Sequence, residues 1–104
     1  MPQLRKVMEF MTANIDRDLH LDEIAGQAGL SSFHFAREFR AVTGQTPYQY
    51  LLDQRIERAK GFLKKEGWPI QEIAAMTGFR SPVNFVRAFR QRVGVTPGNW
   101  RKQS

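Results

Sequence analysis

The sequence predicts an all-α protein in which two similar helical units are joined by a long linker helix. Apolar residues recur with the period of an α-helix, and no stretch alternates long enough to form a strand. Most of the five Pro and eight Gly fall between the periodic segments, where they end helices. A chain of 104 residues holds one domain or two very small ones, which excludes a large two-domain enzyme.

Three short helices are predicted in the first half of the chain. The first ends near Asn14 and the second is stopped by Gly29, and both show apolar residues at the spacing of one helical face. The third is capped by Ser31 or Ser32 and ends before Gly44. The apolar faces of these helices consist of Leu4, Val7, Met8 and Met11; of Leu21, Ile24, Ala25 and Ala28; and of Phe35, Phe39 and Val42.

A long linker helix is predicted to begin at Pro47 and to reach about Lys65. Thr46 supplies the N-cap, Pro47 the first helical position and Gln49 the third, which is the Gln form of a capping box. Gly61 in its interior costs about 1 kcal/mol relative to Ala. The predicted organisation is an N-terminal subdomain (1–45), the linker helix (46–66) and a C-terminal subdomain (67–104).

An internal repeat relates the two halves of the chain. The segment LDEIAGQAGL (21–30) matches IQEIAAMTGF (70–79), and FAREFRAVTGQTPYQY (35–50) matches FVRAFRQRVGVTPGNW (85–100). The offsets are 49 and 50 residues, so the second copy has one additional residue between the matched segments. Each unit is therefore a short helix, a tight turn at a shared Gly and a second helix, which is the outline of a helix-turn-helix.

The second helix of each unit is predicted to turn two Arg and one apolar residue away from the core, with Ala36 or Val86 on the flank. The outward residues are Phe33, Arg37 and Arg40 in the first copy and Val83, Arg87 and Arg90 in the second, opposite Phe85, Phe89 and Val93. A unit duplicated for packing alone would explain matched apolar residues but not matched Arg. Two alternatives stay open: the Arg side chains are ordinary solvated surface, and the outward apolar pair fills gaps against the linker helix.

The charge of the chain indicates an anionic partner. Its 16 Lys and Arg against 10 Asp and Glu give a net charge of +6 and a pI near 10.3. Residues 1–52 hold 5 basic and 6 acidic residues, a net charge of −1, whereas residues 53–104 hold 11 and 4, a net charge of +7. No acidic residue follows Ala74, and one-signed stretches favour polyanions. The basic residues after it are Arg80, Arg87, Arg90, Arg92, Arg101 and Lys102.

These features together predict binding to duplex DNA. The second helix of a helix-turn-helix enters the major groove, where Arg suits guanine or a phosphate and an apolar side chain suits a thymine methyl. Ser31, Ser32 and Ser81 offer hydroxyl groups at helix N-termini, where phosphates are favoured, although N-capping explains them equally well. A linker helix of 19 residues is about 28 Å long, near the ~34 Å between major-groove segments on one face of B-DNA.

Several classes of function are excluded or disfavoured. The absence of Cys excludes disulfides, thiol catalysis and thiolate zinc sites, and only His20 and His34 could supply imidazole, so we expect no metal, no cofactor and no enzymatic activity. No apolar run approaches the ~20 residues of a membrane span, and we expect a cytoplasmic protein. An alternative, a helical interaction module that contacts RNA polymerase, predicts weak salt dependence of binding, unlike DNA binding.

The most specific motifs lie in the C-terminal unit and the linker. The segment IQEIAAMTGFRSPVNFVRAFRQRVGVTPGNWR (70–101), with its IAxxxGF, FxRxF and GxTPxxxR elements, and RIERAKGFL (55–63) resemble the DNA-binding domain of the AraC/XylS family of bacterial transcription regulators. The resemblance extends from about Leu4 to Arg101. It implies seven helices that form two helix-turn-helix subdomains joined by a long helix.

The resemblance also implies that the helices beginning near Ser32 and Ser81 insert into adjacent major-groove segments of double-stranded DNA. Family members often carry a separate effector-binding or dimerisation domain, which is absent from this chain. We therefore expect a stand-alone regulator or an excised DNA-binding domain, and the short length favours the excised domain. The candidate DNA-binding residues are Ser31, Ser32, Phe33, Ala36, Arg37, Arg40, Arg80, Ser81, Pro82, Val83, Val86, Arg87 and Arg90.

Overall fold

A computed structural model describes residues 1–65 and 67–103 of the chain. The helices in these residues are α1 (Leu4–Ala13), α2 (Leu21–Gly26), α3 (Ser32–Thr43), α4 (Pro47–Leu63), α5 (Ile70–Met76), α6 (Pro82–Val93) and α7 (Pro97–Gln103). The described residues contain no strand, so the prediction of an all-α fold with about seven helices is confirmed. None of these seven helices has the length and hydropathy of a membrane-spanning helix.

The linker helix α4 begins as predicted and ends two residues early. The Thr46 N–H donates to Gln49 Oε1 at 3.0 Å, and the Gln49 N–H donates to Thr46 Oγ1 at 3.1 Å, which closes the capping box on both sides. The helix ends at Leu63, and its 17 residues give a length of about 25 Å rather than 28 Å. The subdomain boundary predicted at residue 66 and the last residue, 104, lie outside the described residues.

The chain divides into two compact units, which we call unit 1 (Met1–Leu52) and unit 2 (Asp53–Ser104). The division falls inside α4. Leu51 of this helix is buried in the core of unit 1, whereas Ile56 and Ala59 are buried in the core of unit 2. The linker helix is therefore not a free spacer, because each of its ends completes one of the two cores.

The two cores repeat the same aromatic packing. In unit 1, the rings of Phe35 and Phe39 lie 5.5 Å apart and Phe39 meets Tyr50 edge-on at 5.7 Å. In unit 2, the corresponding distances are 5.8 Å for the pair Phe85 and Phe89 and 6.0 Å for Phe89 and Trp100. All four Phe side chains are fully buried, and burial of each contributes about 1.5–3 kcal/mol. The internal repeat of the sequence is thus a repeat of the packing.

The prediction that Val42 faces inward is wrong. Val42 is 53% exposed, and the half-buried residue of that turn is Thr43, whose hydroxyl donates to the Phe39 carbonyl at 2.7 Å. The 50-residue offset pairs Thr43 with Val93, which packs against the core of unit 2, and pairs Val42 with Arg92. The inward face of α3 therefore continues through the half-buried Thr43, whose hydroxyl is satisfied by the preceding turn.

Candidate nucleic-acid interface

The turns that precede α3 and α6 have the same geometry. Gly29 and Gly78 lie in the left-handed region, with φ of 68° and 86°, which favours glycine at both turns. The next residue in each copy donates its N–H back to the first helix, from Leu30 to the Ala25 carbonyl at 3.2 Å and from Phe79 to the Ala74 carbonyl at 3.0 Å. The turns therefore set the direction of the second helix in the same way in both units.

The N-caps define which residues of α3 and α6 correspond. Ser31 Oγ accepts from the His34 N–H at 3.2 Å, and Ser81 Oγ accepts from the Asn84 N–H at 3.1 Å. Ser31, and not Ser32, is thus the N-cap that was predicted as one of two choices. Because Ser31 and Ser81 correspond, the additional residue of the second copy is Arg80, which is exposed in the turn.

The outward faces of α3 and α6 carry the predicted residues. Phe33 is 75% exposed and Val83 is 64% exposed, so the alternative in which they fill gaps against the linker helix is wrong. The four outward Arg side chains are exposed and make no ion pair with any residue in 1–65 or 67–103. They are Arg37, Arg40, Arg87 and Arg90. Each unit therefore presents one apolar group and two uncompensated guanidinium groups at equivalent positions.

In unit 2 these residues line an open groove of about 670 Å³ along α6. Its lining residues are Pro82, Val83, Val86, Arg87, Arg90 and Gln91. Five of them were predicted from the sequence, and Gln91 was missed. Gln91 lies one turn after Arg87 on the same face of the helix, so a helical-wheel projection of α6 could have identified it. An amide at this position can donate and accept hydrogen bonds, as recognition of adenine requires.

The flank residues Ala36 and Val86 are half-buried in the structure. Val86 packs against the core of unit 2 while it also lines the groove. Ala36 borders a smaller apolar groove of about 230 Å³ in unit 1, beside Tyr48 and Leu21. Because the side chains at this position are small or apolar and half-buried, they leave room for a ligand to approach the helix closely.

Ser32 makes a contact in unit 1 that has no counterpart in unit 2. Its hydroxyl donates a hydrogen bond to a carboxylate oxygen of Asp22 in α2. The corresponding residues of unit 2 are Pro82 and Gln71, which provide neither the hydroxyl nor the carboxylate. The predicted availability of Ser32 as a hydroxyl donor is therefore limited by a neighbour within its own unit.

Another acidic residue of unit 1, Glu23, is compensated. Arg17 Nη2 lies 2.7 Å from Glu23 Oε2, and the His20 N–H donates to Glu23 Oε1 at 3.3 Å. The hydrogen bond from Arg17, followed by the one from the His20 backbone, lowers the pKa of the Glu23 carboxyl. The same hydrogen bond raises the pKa of Arg17. Arg17 and Glu23 thus form an ion pair in which the two charges offset each other, so Glu23 contributes little net negative charge to its surroundings.

Two of the basic residues of unit 2 hold its structure together instead of facing the groove. Arg92 Nε lies 2.8 Å from Asp53 Oδ1, so the acid-free stretch after Ala74 does receive an acidic partner from α4. Arg101 donates to the Leu63 carbonyl at 3.1 Å and to the Trp68 carbonyl at 2.6 Å. The contact with Leu63 satisfies a carbonyl at the C-terminal end of α4, and the contact with Trp68 joins this end to the segment before α5.

The structure also bears on metal binding. Within residues 1–65 and 67–103, no three His, Asp or Glu side chains come together as a protein metal site would require. The groups available for chemistry on the outward faces are guanidinium, hydroxyl, amide and apolar groups. Such groups bind by hydrogen bonding, charge and shape.

The chain is similar to known transcription regulators. A family model described as a helix-turn-helix domain matches residues 24–103. The chain is 32% identical over 101 residues to the transcriptional regulator Rob of Salmonella typhimurium. The aligned region covers 97% of this chain and 35% of Rob. It is 33% identical over 98 residues to the regulatory protein SoxS of the same organism. This aligned region covers 94% of this chain and 92% of SoxS. The chain thus spans about a third of the length of Rob and nearly all of SoxS.

Solved structures show the same fold. The DNA-binding domain of the global transcriptional factor AdpA, solved in complex with a target DNA, matches this chain with a TM-score of 0.90 at 31% identity. The matched region covers 96% of this chain and 90% of the AdpA chain. A transcriptional regulator from Chromobacterium violaceum, described as having an AraC-type DNA-binding domain, also matches with a TM-score of 0.90, at 32% identity. That match covers 98% of this chain and 91% of the regulator's chain. The predicted helix-turn-helix fold is confirmed.

Proposed function

The chain belongs to the AraC/XylS family of helix-turn-helix transcription regulators, which bind DNA, and on that premise we propose that α3 and α6 read double-stranded DNA in the major groove. The observation that carries the proposal is the equivalence of the outward faces. Both helices expose one apolar side chain and two Arg without ion pairs at positions related by the 50-residue offset. Packing does not require these residues, so a shared ligand accounts for them.

Unit 2 supports the more detailed assignment. The guanidinium groups of Arg87 and Arg90 reach guanine O6 and N7 or a phosphate, and Val83 contacts a thymine methyl. Gln91, in the same groove, is suited to adenine N6 and N7. Ser81 and Arg80 lie at the start of α6, where they contact the phosphate backbone and position the helix.

Unit 1 uses the corresponding residues with different side chains. Phe33 takes the position of Val83 and offers a larger apolar surface to a thymine methyl. Arg37 and Arg40 take the positions of Arg87 and Arg90, and Ser31 takes that of Ser81. Ala36 leaves room for the backbone of α3 to approach the bases closely. We propose that both units engage adjacent major-groove segments of one duplex.

The salt dependence of binding tests this function. Neutralised phosphates release counterions, so the logarithm of the binding constant of the wild type for a duplex should fall linearly with the logarithm of salt concentration, with a slope of about −0.9 per phosphate. The double variant Arg37→Ala/Arg87→Ala should bind more weakly, whereas Lys6→Ala, an exposed cation on α1, should bind like the wild type. Duplex binding that is insensitive to salt, or equal loss in both variants, would contradict the proposal.

A contact with RNA polymerase is a second proposal, supported by the apolar groove of unit 1. Leu21 and Tyr48 are exposed at this groove, and exposed apolar clusters mark protein contacts. A regulator that contacts polymerase in the bacterial cytoplasm would act as an activator. Tyr48→Ala should then reduce activated transcription in a reconstituted assay without changing DNA affinity. A loss of DNA affinity in Tyr48→Ala would argue against the polymerase contact.

A further inference from the structure

Asp22 places a negative charge beside the outward face of α3. It lies in the first turn of α2, and its carboxylate accepts a hydrogen bond from the hydroxyl of Ser32. Ser32 is the residue directly before Phe33, an apolar residue of the proposed interface that is 75% exposed. A carboxylate therefore adjoins a surface whose proposed ligand is itself a polyanion.

The charge of Asp22 is uncompensated in the part of the chain that the structure describes. No Lys, Arg or His atom of residues 1–65 and 67–103 lies within ion-pair distance of its carboxylate, and it is exposed. Glu23, the next residue, is paired with Arg17 at 2.7 Å, and Glu9 of α1 is paired with Arg5 at 3.1 Å. Asp22 thus differs from Glu9 and Glu23, because no cation of residues 1–65 and 67–103 pairs with it.

Unit 2 has the same local structure but lacks the carboxylate. The position of Asp22 is occupied there by Gln71, and that of Ser32 by Pro82. The remaining framework is shared, since both copies have the Ser N-cap and the Gly turn. The two units therefore differ here in the carboxylate, in the hydroxyl that it holds, and in the additional Arg80 of the unit 2 turn.

We propose that Asp22 is an affinity-determining residue of the DNA interface that weakens the contact of unit 1 with the phosphate backbone. This inference depends on the proposed function. A phosphate that approaches Ser32 meets a like charge, and the Ser32 hydroxyl must leave Asp22 before it can donate to the phosphate. Unit 1 therefore gains little from backbone contacts here, and its binding depends on Phe33, Arg37 and Arg40.

The substitution Asp22→Gln tests the proposal, because it installs the side chain that unit 2 has at this position. The probe is a fluorescein-labelled duplex of mixed sequence, titrated with the full chain at several salt concentrations. Removing one like charge near a phosphate should tighten binding about fivefold at low salt. The slope of log affinity against log salt should become steeper by up to about 0.9, the value for one additional phosphate contact.

The control is Glu9→Gln, which changes the net charge equally on an exposed part of α1 and should change affinity less than Asp22→Gln does. Thermal unfolding checks that both variants are folded. Equal tightening in both variants, unchanged affinity in Asp22→Gln, or weaker binding in Asp22→Gln would overturn the inference. If the wild type itself fails to bind duplex DNA, the proposed function falls, whereas wild-type binding that Asp22→Gln does not improve overturns this inference alone.

Discussion

Units 1 and 2 are alike in their packing and unlike in their charge. Their Phe clusters, Gly turns and Ser caps correspond residue by residue, yet residues 1–52 carry a net charge of −1 and residues 53–104 one of +7. Packing constrains the inward residues of a helix-turn-helix, because a change of volume there costs several kcal/mol. The outward residues are free of that constraint, so the two units are able to differ in what they offer to a ligand.

The likeness of the two cores is open to a direct test. Phe39→Ala and Phe89→Ala should each lower the free energy of unfolding by about 3–5 kcal/mol, since both rings are fully buried and both touch a second aromatic ring. Chemical denaturation measures the change. Phe33→Ala is the matched control on α3 and should cost less than about 0.5 kcal/mol, because its ring is exposed. A large difference between the two core variants would break the comparison.

The outward faces should differ in how much they read bases. On a duplex obtained by selection from random sequences, Arg87→Ala should cost about 1–3 kcal/mol of binding free energy if its guanidinium reads a base. Arg37→Ala, the equivalent change in unit 1, provides the comparison, and fluorescence anisotropy measures both. If Arg87→Ala loses as much affinity for random duplex as for the selected one, Arg87 contacts a phosphate instead.

The charge difference predicts unequal contributions to non-specific affinity. Arg90→Ala should reduce the steepness of the salt dependence by up to about 0.9, the value of one phosphate contact, and Arg40→Ala should reduce it by less. The reason is that Arg40 belongs to the unit with a net charge of −1, whereas Arg90 belongs to the unit with +7. Titrations of random duplex at several salt concentrations give both slopes. A larger reduction for Arg40→Ala would contradict this interpretation.

The smallest expected effect concerns pH. The hydrogen bond from Arg17 lowers the pKa of Glu23, so the folded chain binds this proton less tightly than the unfolded chain does. The ion pair therefore stabilises the fold above the carboxyl pKa of the unfolded chain, and this contribution is lost as the pH falls through the lowered value. Glu23→Gln should flatten the pH dependence of stability in the acid range.

Glu72 provides the control for this prediction, since it occupies the position of Glu23 in unit 2 and forms no ion pair with residues 1–65 or 67–103. Thermal unfolding of the wild type, Glu23→Gln and Glu72→Gln across the acid range measures the effect. Equal changes in the two variants would show that the Arg17 ion pair is not responsible.

Much of the fold was predictable because it depends on local patterns. The apolar spacing located the helices, and the Thr46 capping box marked the start of α4 correctly. Val42 was predicted to face inward because it is apolar and lies seven residues after Phe35, on the same predicted face of the helix. Thr43 is half-buried and its hydroxyl bonds to the preceding turn, and the only sequence signal for this was the comparison with Val93 and Arg92 in the repeat.

The residues of the proposed interface were predictable as a set, but their partners were not. The helical wheel placed Phe33, Arg37 and Arg87 on the outward faces, since the side-chain direction follows from the helical period. The contact between Asp22 and Ser32 joins residues on two different helices, and no local pattern predicts such a contact. The same holds for Arg101, whose partners are the backbone carbonyls of Leu63 and Trp68.

The sequence by itself determined that this protein is all-α, that it contains two copies of one helix-turn-helix, and that Phe33, Val83 and the two Arg of each copy face outward. These properties follow from periodicity, caps and the repeat offset, which act over a few residues. Only the tertiary structure decided which charges remain available to a ligand. Arg92 pairs with Asp53 across 39 positions of sequence, while Arg87 and Arg90 make no ion pair in residues 1–65 and 67–103. Compensation of a charge depends on distances of a few ångströms in space, and chain folding alone sets those distances.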